Sequence, residues 1–196
     1  MRNIEDILTI KTNNVKPTPG KILISEPFLL DYYFKRSVVL LCDHSDEGSF
    51  GVIMNKPLSV KLNEVVKDFP DFAAPIYLGG PVQNDSLFFL HTIGDKIEGS
   101  VEVINGLFWG GDLEQIKELI SLNMISPEQI RFYIGYSGWT SNQLEEELER
   151  NSWVVSRESS ECLLNTDPNL MWAKSLQKLG GSYAFWPNFP NDPGQN

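Results

Sequence analysis

The chain has 196 residues, enough for a sizeable core in one domain, and 41% of them are hydrophobic, which is typical of globular proteins. A formal net charge of −10 disfavours direct nucleic-acid binding, because a nucleic-acid binder presents a positive face to the phosphates. No apolar run approaches the ~20 residues that cross a bilayer, and no signal-peptide core is present, so no membrane contact and a cytoplasmic location are expected.

Residues 1–69 are predicted to hold an extension, three strands and a helix. Residues 1–19 are expected to be a loosely attached extension, because prolines and a glycine precede the body, and residues 20–196 are expected to be a single domain. Short runs of branched apolar residues predict strands over 21–25, 37–42 and 50–54, with a loop over 43–49. Apolar residues at helical spacing predict a helix near 61–69.

The chain from residue 75 onward is predicted to add further strands and three helices. Strands are predicted over 75–78, 86–91, 100–104, 107–109, 131–135 and 153–155, and Asn105-Gly106 supplies a hairpin turn. Helices are predicted near 112–122, 141–150 and 168–179, the first capped by Asp112 and the last by Asp167. Strands outnumber helices and do not strictly alternate with them. The sequence therefore predicts an α+β fold rather than a doubly wound parallel sheet.

The segment 135–153 carries more local signals than any other part of the chain. Thr140 and Gln143 have the spacing of a capping box at the start of a helix. Trp139 precedes the cap and is placed to form a hydrophobic staple with the first turns of that helix. Asn151 is suited to end the helix in a left-handed conformation. Such dense local specification indicates that the geometry of this segment matters.

Residue types that perform chemistry are few. Cys42 and His44 lie two apart and would point the same way on an extended strand, as a nucleophile and its base could. The apolar run around Cys42 is typical of an inert core thiol, and Cys162 is expected to be buried as well. His91 ends an apolar strand, where a structural role is the default. Because no cysteine or histidine spacing resembles a paired zinc knuckle, we predict no metal. The sequence also contains no phosphate-binding loop motif and no nucleophile elbow, so no cofactor and no catalytic residue are predicted.

With these segments in hand, the chain resembles the YqgE/AlgH family of bacterial proteins over roughly residues 20–196. The matching stretches are Gly20 to Ser25, Phe34 to Leu41, Gly51 to Pro57, Leu78 to Val82, Gly135 to Trp139 and Gln143 to Leu148. The resemblance implies an α+β fold in which a bifurcated, mostly antiparallel sheet closes into a pseudo-barrel, with helices packed outside. Some members carry the label of transcriptional regulator, and the family supplies no accepted catalytic residue or cofactor.

The function expected from these observations is that of a non-enzymatic binding or regulatory protein that acts through an unidentified protein partner. The alternative is a small-anion or nucleotide-binding protein, or an enzyme, whose cleft lies at the turns where strands end. In that alternative the turns converge, a lysine and glycine N–H groups receive the anion, and aromatic rings form a wall. The candidate ligand-binding residues are His44, Asn55, Lys56, Gly79, Gly80, His91, Tyr136 and Trp139. The competing interpretation is that each glycine serves only its own turn and that Trp139 serves only its staple.

Overall fold

The computed structural model describes residues 10–190, in which ten strands and five α-helices are present. The strands are β1 (Ile22–Ser25), β2 (Val38–Ser45), β3 (Gly48–Ile53), β4 (Pro57–Leu58), β5 (Ile76–Leu78), β6 (Val82–His91), β7 (Val101–Ile104), β8 (Leu107–Trp109), β9 (Ile130–Thr140) and β10 (Trp153–Ser156). The helices are α1 (Leu62–Val65), α2 (Leu113–Ser121), α3 (Gln143–Glu149), α4 (Ser160–Asn165) and α5 (Pro168–Leu179). Short 3-10 helices span Gly94–Lys96, Pro127–Gln129 and Tyr183–Asn188.

The sheet branches at its longest strand, β9. One edge of β9 pairs with β6. Its other edge pairs first with β5, in parallel at 132–134, and then with β3, antiparallel from Ser137 to Thr140. The main path of the sheet runs β10-β1-β2-β3-β9-β6-β8-β7, with β4 attached to β5, and every pair except β5–β9 is antiparallel. The prediction of an α+β fold with a mostly antiparallel sheet is therefore confirmed.

The closed pseudo-barrel that the resemblance implies is not confirmed. Within residues 10–190 the two ends of the path, β7 and β10, do not pair with each other. β7 comes close to the start of β1, since a Cβ built on Gly20 would lie 2.7 Å from the carbonyl oxygen of Val103. On the outer edge of β10, the backbone N–H and C=O of Val155 are occupied by the side-chain amide of Asn13, which takes the place of a strand.

The helices cover both faces of the sheet and define three hydrophobic clusters among the described residues. One cluster joins the sheet to α4, α5 and the last 3-10 helix, through side chains such as Leu163, Trp172 and Trp186. A second joins β5, β6 and β9 to α1 and α2. The third places α3 against the opposite face of β1, β2 and β3, around Trp139 and Trp153. Each fully buried large apolar side chain contributes about 1.5–3 kcal/mol to folding.

All four predicted helices are present, two of them with the expected aspartate caps, and one is much shorter than expected. Asp112 accepts hydrogen bonds from the backbone at the start of α2, and Asp167 does so at the start of α5. The helix predicted near 61–69 ends at Val65, because Val66 is extended and Asp68 has a left-handed φ of 56°. The helix α4 was not predicted from the sequence. It is short, and Ser159 caps it by accepting from the N–H of Cys162.

Residues 1–9 of the predicted extension lie outside the described residues. In the remainder, the N–H and hydroxyl of Thr12 donate to Oδ1 of Asn151, and Pro17 is buried. Asn151 itself has a φ of 61°, so the left-handed end predicted for α3 is confirmed. Across residues 10–190, no helix combines the length and the apolar character required to span a membrane.

Candidate functional site

A groove of about 650 Å³ lies beside the β2–β3 hairpin and the last residues of β9. Its lining comes from five strands and one tight turn. The residues are Asp43, Ser45, Glu47, Gly48, Ser49, Phe50, Val82, Phe88, Trp109, Tyr136, Gly138, Trp139 and Thr140. A volume of this size is in the ordinary range for a small-molecule site or for a few side chains of a partner. We refer to it as the hairpin groove.

The hairpin groove exists because the β2–β3 hairpin is longer than the sequence predicts. Residues 43–49 were expected to form a loop, but β2 continues to Ser45 and β3 begins at Gly48. Pairing of β3 with β9 explains the difference, since Gly48 lies opposite Thr140 and Phe50 lies opposite Gly138. The loop prediction was wrong because polar residues at the end of a hairpin form a strand when a neighbouring strand binds their backbone.

A register shift between Leu41 and Asp43 decides which side chains face the groove. Before the shift Leu41 pairs with Gly51, and after it Asp43 pairs with Phe50. Asp43 and Phe50 therefore share one face of the sheet, opposite to the face of Leu41. The same shift corrects the expectation that Cys42 and His44 point the same way. The Cys42 thiol packs in the cluster with Leu40, whereas His44 pairs with Ser49 on the other face.

Four aromatic rings form the floor of the groove. Phe50 lies 5.4 Å from Trp109 and 6.1 Å from Tyr136, measured between ring centroids. Phe88 stacks on Trp109 at 5.5 Å and meets Tyr136 edge-on, also at 5.5 Å. Each of these rings is partly exposed. We call these four rings, Phe50, Phe88, Trp109 and Tyr136, the aromatic floor.

Gly138 keeps the aromatic floor accessible. It lies opposite Phe50 in the sheet, on the face that the floor occupies. A Cβ at this position would come within 3.1 Å of Cε2 of Tyr136 and 3.5 Å of Cγ2 of Val82. Any larger side chain at Gly138 would therefore lie over the ring of Tyr136.

The charge of the groove is negative. Asp43 and Glu47 are its two acidic lining residues, and both are exposed on the hairpin. One carboxylate oxygen of Asp43 accepts the N–H of His44 at 2.9 Å. Among the residues that the structure describes, no lysine, arginine or histidine lines the groove. The hairpin groove is thus suited to a cation rather than to the anion considered from the sequence.

Of the eight candidate residues, Tyr136 and Trp139 reach the hairpin groove. Tyr136 contributes its ring to the floor. Trp139 lines the groove, but its indole lies in the cluster around Leu144 on the other face. Its indole nitrogen donates to Oε2 of Glu147 at 2.9 Å. The packing against Leu144 agrees with the predicted staple.

The predicted capping box is formed only in part. The side chain of Gln143 accepts from the N–H of Thr140, but the helix begins at Gln143 itself.

His44 lies near the groove but on the opposite face of the hairpin. Its Nδ1 lies 2.7 Å from the hydroxyl oxygen of Ser49. Its Nε2 lies 3.6 Å from Oε1 of Glu145 on α3. These partners tie the hairpin to the helix, which gives His44 a structural role. A cysteine–histidine couple is not formed, since Cys42 is buried among apolar residues and burial raises the pKa of its thiol.

His91 is completely buried and its ring is fixed by its neighbours. The N–H of Ile93 donates to Nδ1, so Nε2 carries the proton. Nε2 lies 2.9 Å from the hydroxyl oxygen of Ser100 and 3.1 Å from the carbonyl oxygen of Gly110. Burial lowers the pKa of His91, and the hydrogen bond to Gly110 opposes that shift in part. This is the structural histidine that its place at a strand end suggested.

Asn55 and Lys56 lie at the opposite end of β3 from the hairpin groove. The side chain of Asn55 accepts from the N–H of Val38 and donates to the carbonyl of Arg36, which fixes the neighbouring chain. The ammonium of Lys56 donates to the carbonyl of Lys35 at 3.0 Å. Burial lowers the pKa of Lys56, although the nearby charge of Asp31 acts in the other direction.

Gly79 and Gly80 lie at the branch of the sheet. The N–H of Gly79 donates to the carbonyl of Ile134, and its own carbonyl accepts from the N–H of Ile53 and the hydroxyl of Ser137. The N–H of Leu78 donates to the carbonyl of Lys56, so these two turns do meet. Their polar groups bind one another, however, and the N–H of Gly79 is not free to receive an anion. A Cβ on Gly80 would lie 2.3 Å from the carbonyl carbon of Tyr136.

The structure brings no metal-binding set together within residues 10–190. Cys42 is buried, as expected, but Cys162 is exposed at the start of α4, so the expectation of two buried thiols was wrong for one of them.

Most of the groove was not predicted from the sequence. The residues concerned are Asp43, Glu47, Phe50, Phe88 and Trp109. One available signal was that Phe50 and Trp109 each occupy a predicted strand next to a glycine, whereas Phe88 lies in the middle of its predicted strand.

Comparison with known proteins places the chain among relatives of the same length. It is 48% identical over 189 residues to a UPF0301 protein of Bacteroides thetaiotaomicron, covering 96% of each chain. It is 46% identical over 178 residues to a UPF0301 protein of Chlorobaculum tepidum, covering 91% of this chain and 95% of the relative. These similarities extend across the strands and turns that build the hairpin groove.

Solved structures support the same relationship. The AlgH protein from Pseudomonas aeruginosa superimposes with a TM-score of 0.71 at 27% identity, covering 91% of this chain and 98% of that one. A protein from Corynebacterium diphtheriae shares the fold with a TM-score of 0.72 at 21% identity, covering 91% of this chain and 95% of that one. The AlgH-like family model matches residues 22–184, which is most of the chain. The chain belongs to the AlgH-like family, as its strand-end motifs suggested.

Proposed function

We propose that this chain is a cytoplasmic, non-catalytic binding protein that engages a protein partner through the hairpin groove. The observation that carries the proposal is the aromatic floor, in which four partly exposed rings pack against the core on one side and line a groove on the other. Aromatic rings bury a large area at low entropic cost, and they are enriched among residues that dominate binding energy at protein interfaces. The label of transcriptional regulator that some family members carry is compatible with action through such a partner.

The chemistry of the lining supports binding rather than catalysis. Both histidines are engaged elsewhere, His44 with Ser49 and His91 with Gly110. The buried thiol of Cys42 lies in the core. Two carboxylates that act as acid and base require environments that separate their pKa values, and Asp43 and Glu47 are both exposed to solvent. A small-anion or nucleotide site has weaker support, since the ammonium of Lys56 is bound to a backbone carbonyl.

Direct contact with nucleic acid is not part of the proposal. The net charge of −10 opposes the approach of phosphates, and the groove itself carries carboxylates. A regulatory effect on transcription would then pass through the partner.

Site-specific photo-crosslinking in cells tests the proposal. A benzoylphenylalanine replaces Ser45, which lines the groove, and in the matched control it replaces Ser121, an exposed serine at the end of α2. We expect an adduct of one defined mass from position 45 and none of that mass from position 121. Adding Tyr136→Ala to the first variant should remove the adduct, while the circular dichroism spectrum remains that of the folded protein. Equal adducts from both positions, or none from position 45, would refute the proposal.

A further inference from the structure

We infer that the hairpin groove recognises a basic peptide segment, which places a lysine or arginine side chain on the aromatic floor. The inference rests on the proposed function and adds the chemical class of the partner. It follows from two independent features of the groove, the faces of the rings and the sign of the charge around them.

The aromatic floor is suited to a cation. The face of an aromatic ring carries partial negative charge, and a guanidinium or ammonium above it gains about 0.5–1 kcal/mol at exposed sites and about 2 kcal/mol when desolvated. In the floor, Phe88 and Trp109 are stacked with an interplanar angle of 14°, so each ring covers one face of the other and the second face of each lies outside the stack. The stem of a lysine or arginine side chain covers such a surface while its charged end reaches outward.

The carboxylates of Asp43 and Glu47 are placed to meet that charged end. Both belong to the hairpin that forms one side of the groove, and Asp43 shares the sheet face of Phe50. One oxygen of Asp43 is used by the N–H of His44, which leaves the other oxygen available. With no basic side chain in the lining, within the described part of the chain, the local charge is unopposed.

The shape of the groove favours a peptide over an isolated small ammonium ion. At about 650 Å³ it is much larger than a single ammonium group, and it extends from the tip of the hairpin at Glu47 to Phe88 on β6. A groove of this volume has room for the side chains of a short segment. The overall charge of −10 would also draw a basic segment toward the protein at low ionic strength.

Fluorescence polarisation with the full-length protein tests the inference. The probe is a labelled peptide that alternates lysine and arginine with glycine. Its neutral control replaces each lysine by norleucine and each arginine by citrulline, which keeps the length and nearly the shape. We expect at least a 10-fold weaker affinity for the neutral peptide and a further loss as salt is raised. Equal affinity for the two peptides, or no binding of the basic peptide at low salt, would overturn the inference.

Matched variants locate the effect in the groove. The pair Asp43→Asn and Glu47→Gln removes both charges while keeping the size of the side chains. Asp46→Asn is the control, because Asp46 is exposed on the same turn but does not line the groove. We expect the pair of substitutions to weaken binding at least 10-fold and the control to change it less than 2-fold. If Asp46→Asn weakens binding as much, the effect is one of general charge and the inference fails.

A variant of the floor separates cation–π contact from simple apolar contact. Phe88→Leu keeps an apolar side chain but removes an aromatic face. We expect a 3- to 10-fold loss of affinity for the basic peptide, with little change of affinity for the neutral one.

Nuclear magnetic resonance then compares the basic peptide with tetramethylammonium. Shifts of the Trp109 indole with the peptide support the inference, whereas shifts with tetramethylammonium alone contradict the choice of a peptide.

The two proposals can fail separately. If the crosslink from position 45 forms but excess basic peptide does not compete with it, the inference is wrong and the proposed function stands. If the basic peptide binds in the groove while no crosslink forms in cells, the recognition chemistry is right and the proposed cellular role is wrong.

Discussion

The side-chain amide of Asn13 acts as a strand partner for Val155. It donates through Nδ2 to the carbonyl of Val155 at 2.7 Å, and its Oδ1 accepts the N–H of Val155 at 3.0 Å. Val155 lies in β10, at the end of the sheet, where an unoccupied N–H and C=O would be open to another strand. One side chain thus blocks the edge that the expected pseudo-barrel would have closed.

Replacing Asn13 by alanine removes both hydrogen bonds. We expect Asn13→Ala to lower the free energy of unfolding by about 1–2 kcal/mol, because each such bond contributes about 0.5–1.5 kcal/mol net. Urea denaturation measures the loss, and hydrogen exchange at the Val155 amide should accelerate.

Asn14→Ala is the control, since Asn14 is the next residue and its side chain is exposed. A change within about 0.5 kcal/mol is expected there, as at ordinary surface positions. If the two alanine variants are equally stable and Val155 exchanges at the same rate in both, the amide does not protect the edge.

One carboxylate oxygen holds two tryptophans beneath α3. Oε2 of Glu147 accepts the indole N–H of Trp139 at 2.9 Å and that of Trp153 at 2.7 Å. Hydrogen bonds to a charged group contribute about 1.5–3 kcal/mol each, and the half-exposed position of Glu147 reduces that contribution. We therefore expect Glu147→Ala to cost about 2–4 kcal/mol of unfolding free energy.

Chemical denaturation followed by tryptophan fluorescence measures that cost. Glu149→Ala on the same helix is the matched control, because Glu149 is exposed and should change stability by less than about 0.5 kcal/mol. Glu147→Gln should fall between the two, since it retains an acceptor without the charge. A loss in Glu149→Ala as large as in Glu147→Ala would show that helix charge, not the indole contact, is responsible.

Local signals in the sequence were reliable where one residue decides the conformation. Asn105-Gly106 forms the turn between β7 and β8, Asp112 caps its helix, and Asn151 adopts a left-handed φ. Each of these outcomes depends on backbone chemistry within a few residues. The fold class followed from the order of such elements.

The groove could not be predicted because it depends on contacts between distant strands. The pairing of Phe50 with Gly138 extends the hairpin, and no local sequence pattern predicts this pairing. The register shift at Asp43 then reverses the faces of the residues that follow, and a shift of one residue changes every later assignment. Gly79 and Gly80 were selected from the sequence as turn residues. Their role at the branch of the sheet could not be predicted, since it arises from the close approach of two backbones.

His91 makes stability depend on pH. Burial lowers the pKa of His91 in the folded protein below its unfolded value of about 6.5, so the folded state binds fewer protons at mildly acidic pH. The contribution of His91 to stability is therefore complete above that pH and decreases as the pH falls below it. The slope from this one group is at most about 1.4 kcal/mol per pH unit.

Denaturation of the wild type and of His91→Gln between pH 7.5 and 5.5 measures this dependence. Glutamine can still donate to the carbonyl of Gly110 but does not titrate, so the variant should be less stable at pH 7.5 and lose less stability on acidification. His44 is present in both proteins and cancels in the difference. An unchanged pH slope in His91→Gln would assign the effect to other groups.

Gly79 provides the last test, because the anion site and the structural role predict different outcomes for it. A Cβ at Gly79 would lie 2.1 Å from the carbonyl oxygen of Gly135 and 3.1 Å from Cβ of Tyr133, and neither atom can move without shifting a strand. We expect Gly79→Ala to cost about 3 kcal/mol or more of unfolding free energy. Gly94→Ala is the control, since Gly94 has a φ of +78° but no heavy atom within 4 Å of its Cβ position. It should cost only about 1–2 kcal/mol, the strain of a left-handed residue. Urea denaturation compares the two variants, and failure of Gly79→Ala to fold agrees with the larger cost. If Gly79→Ala is as stable as Gly94→Ala, the backbones at the branch are not in close contact, and a ligand role for this glycine becomes the better explanation.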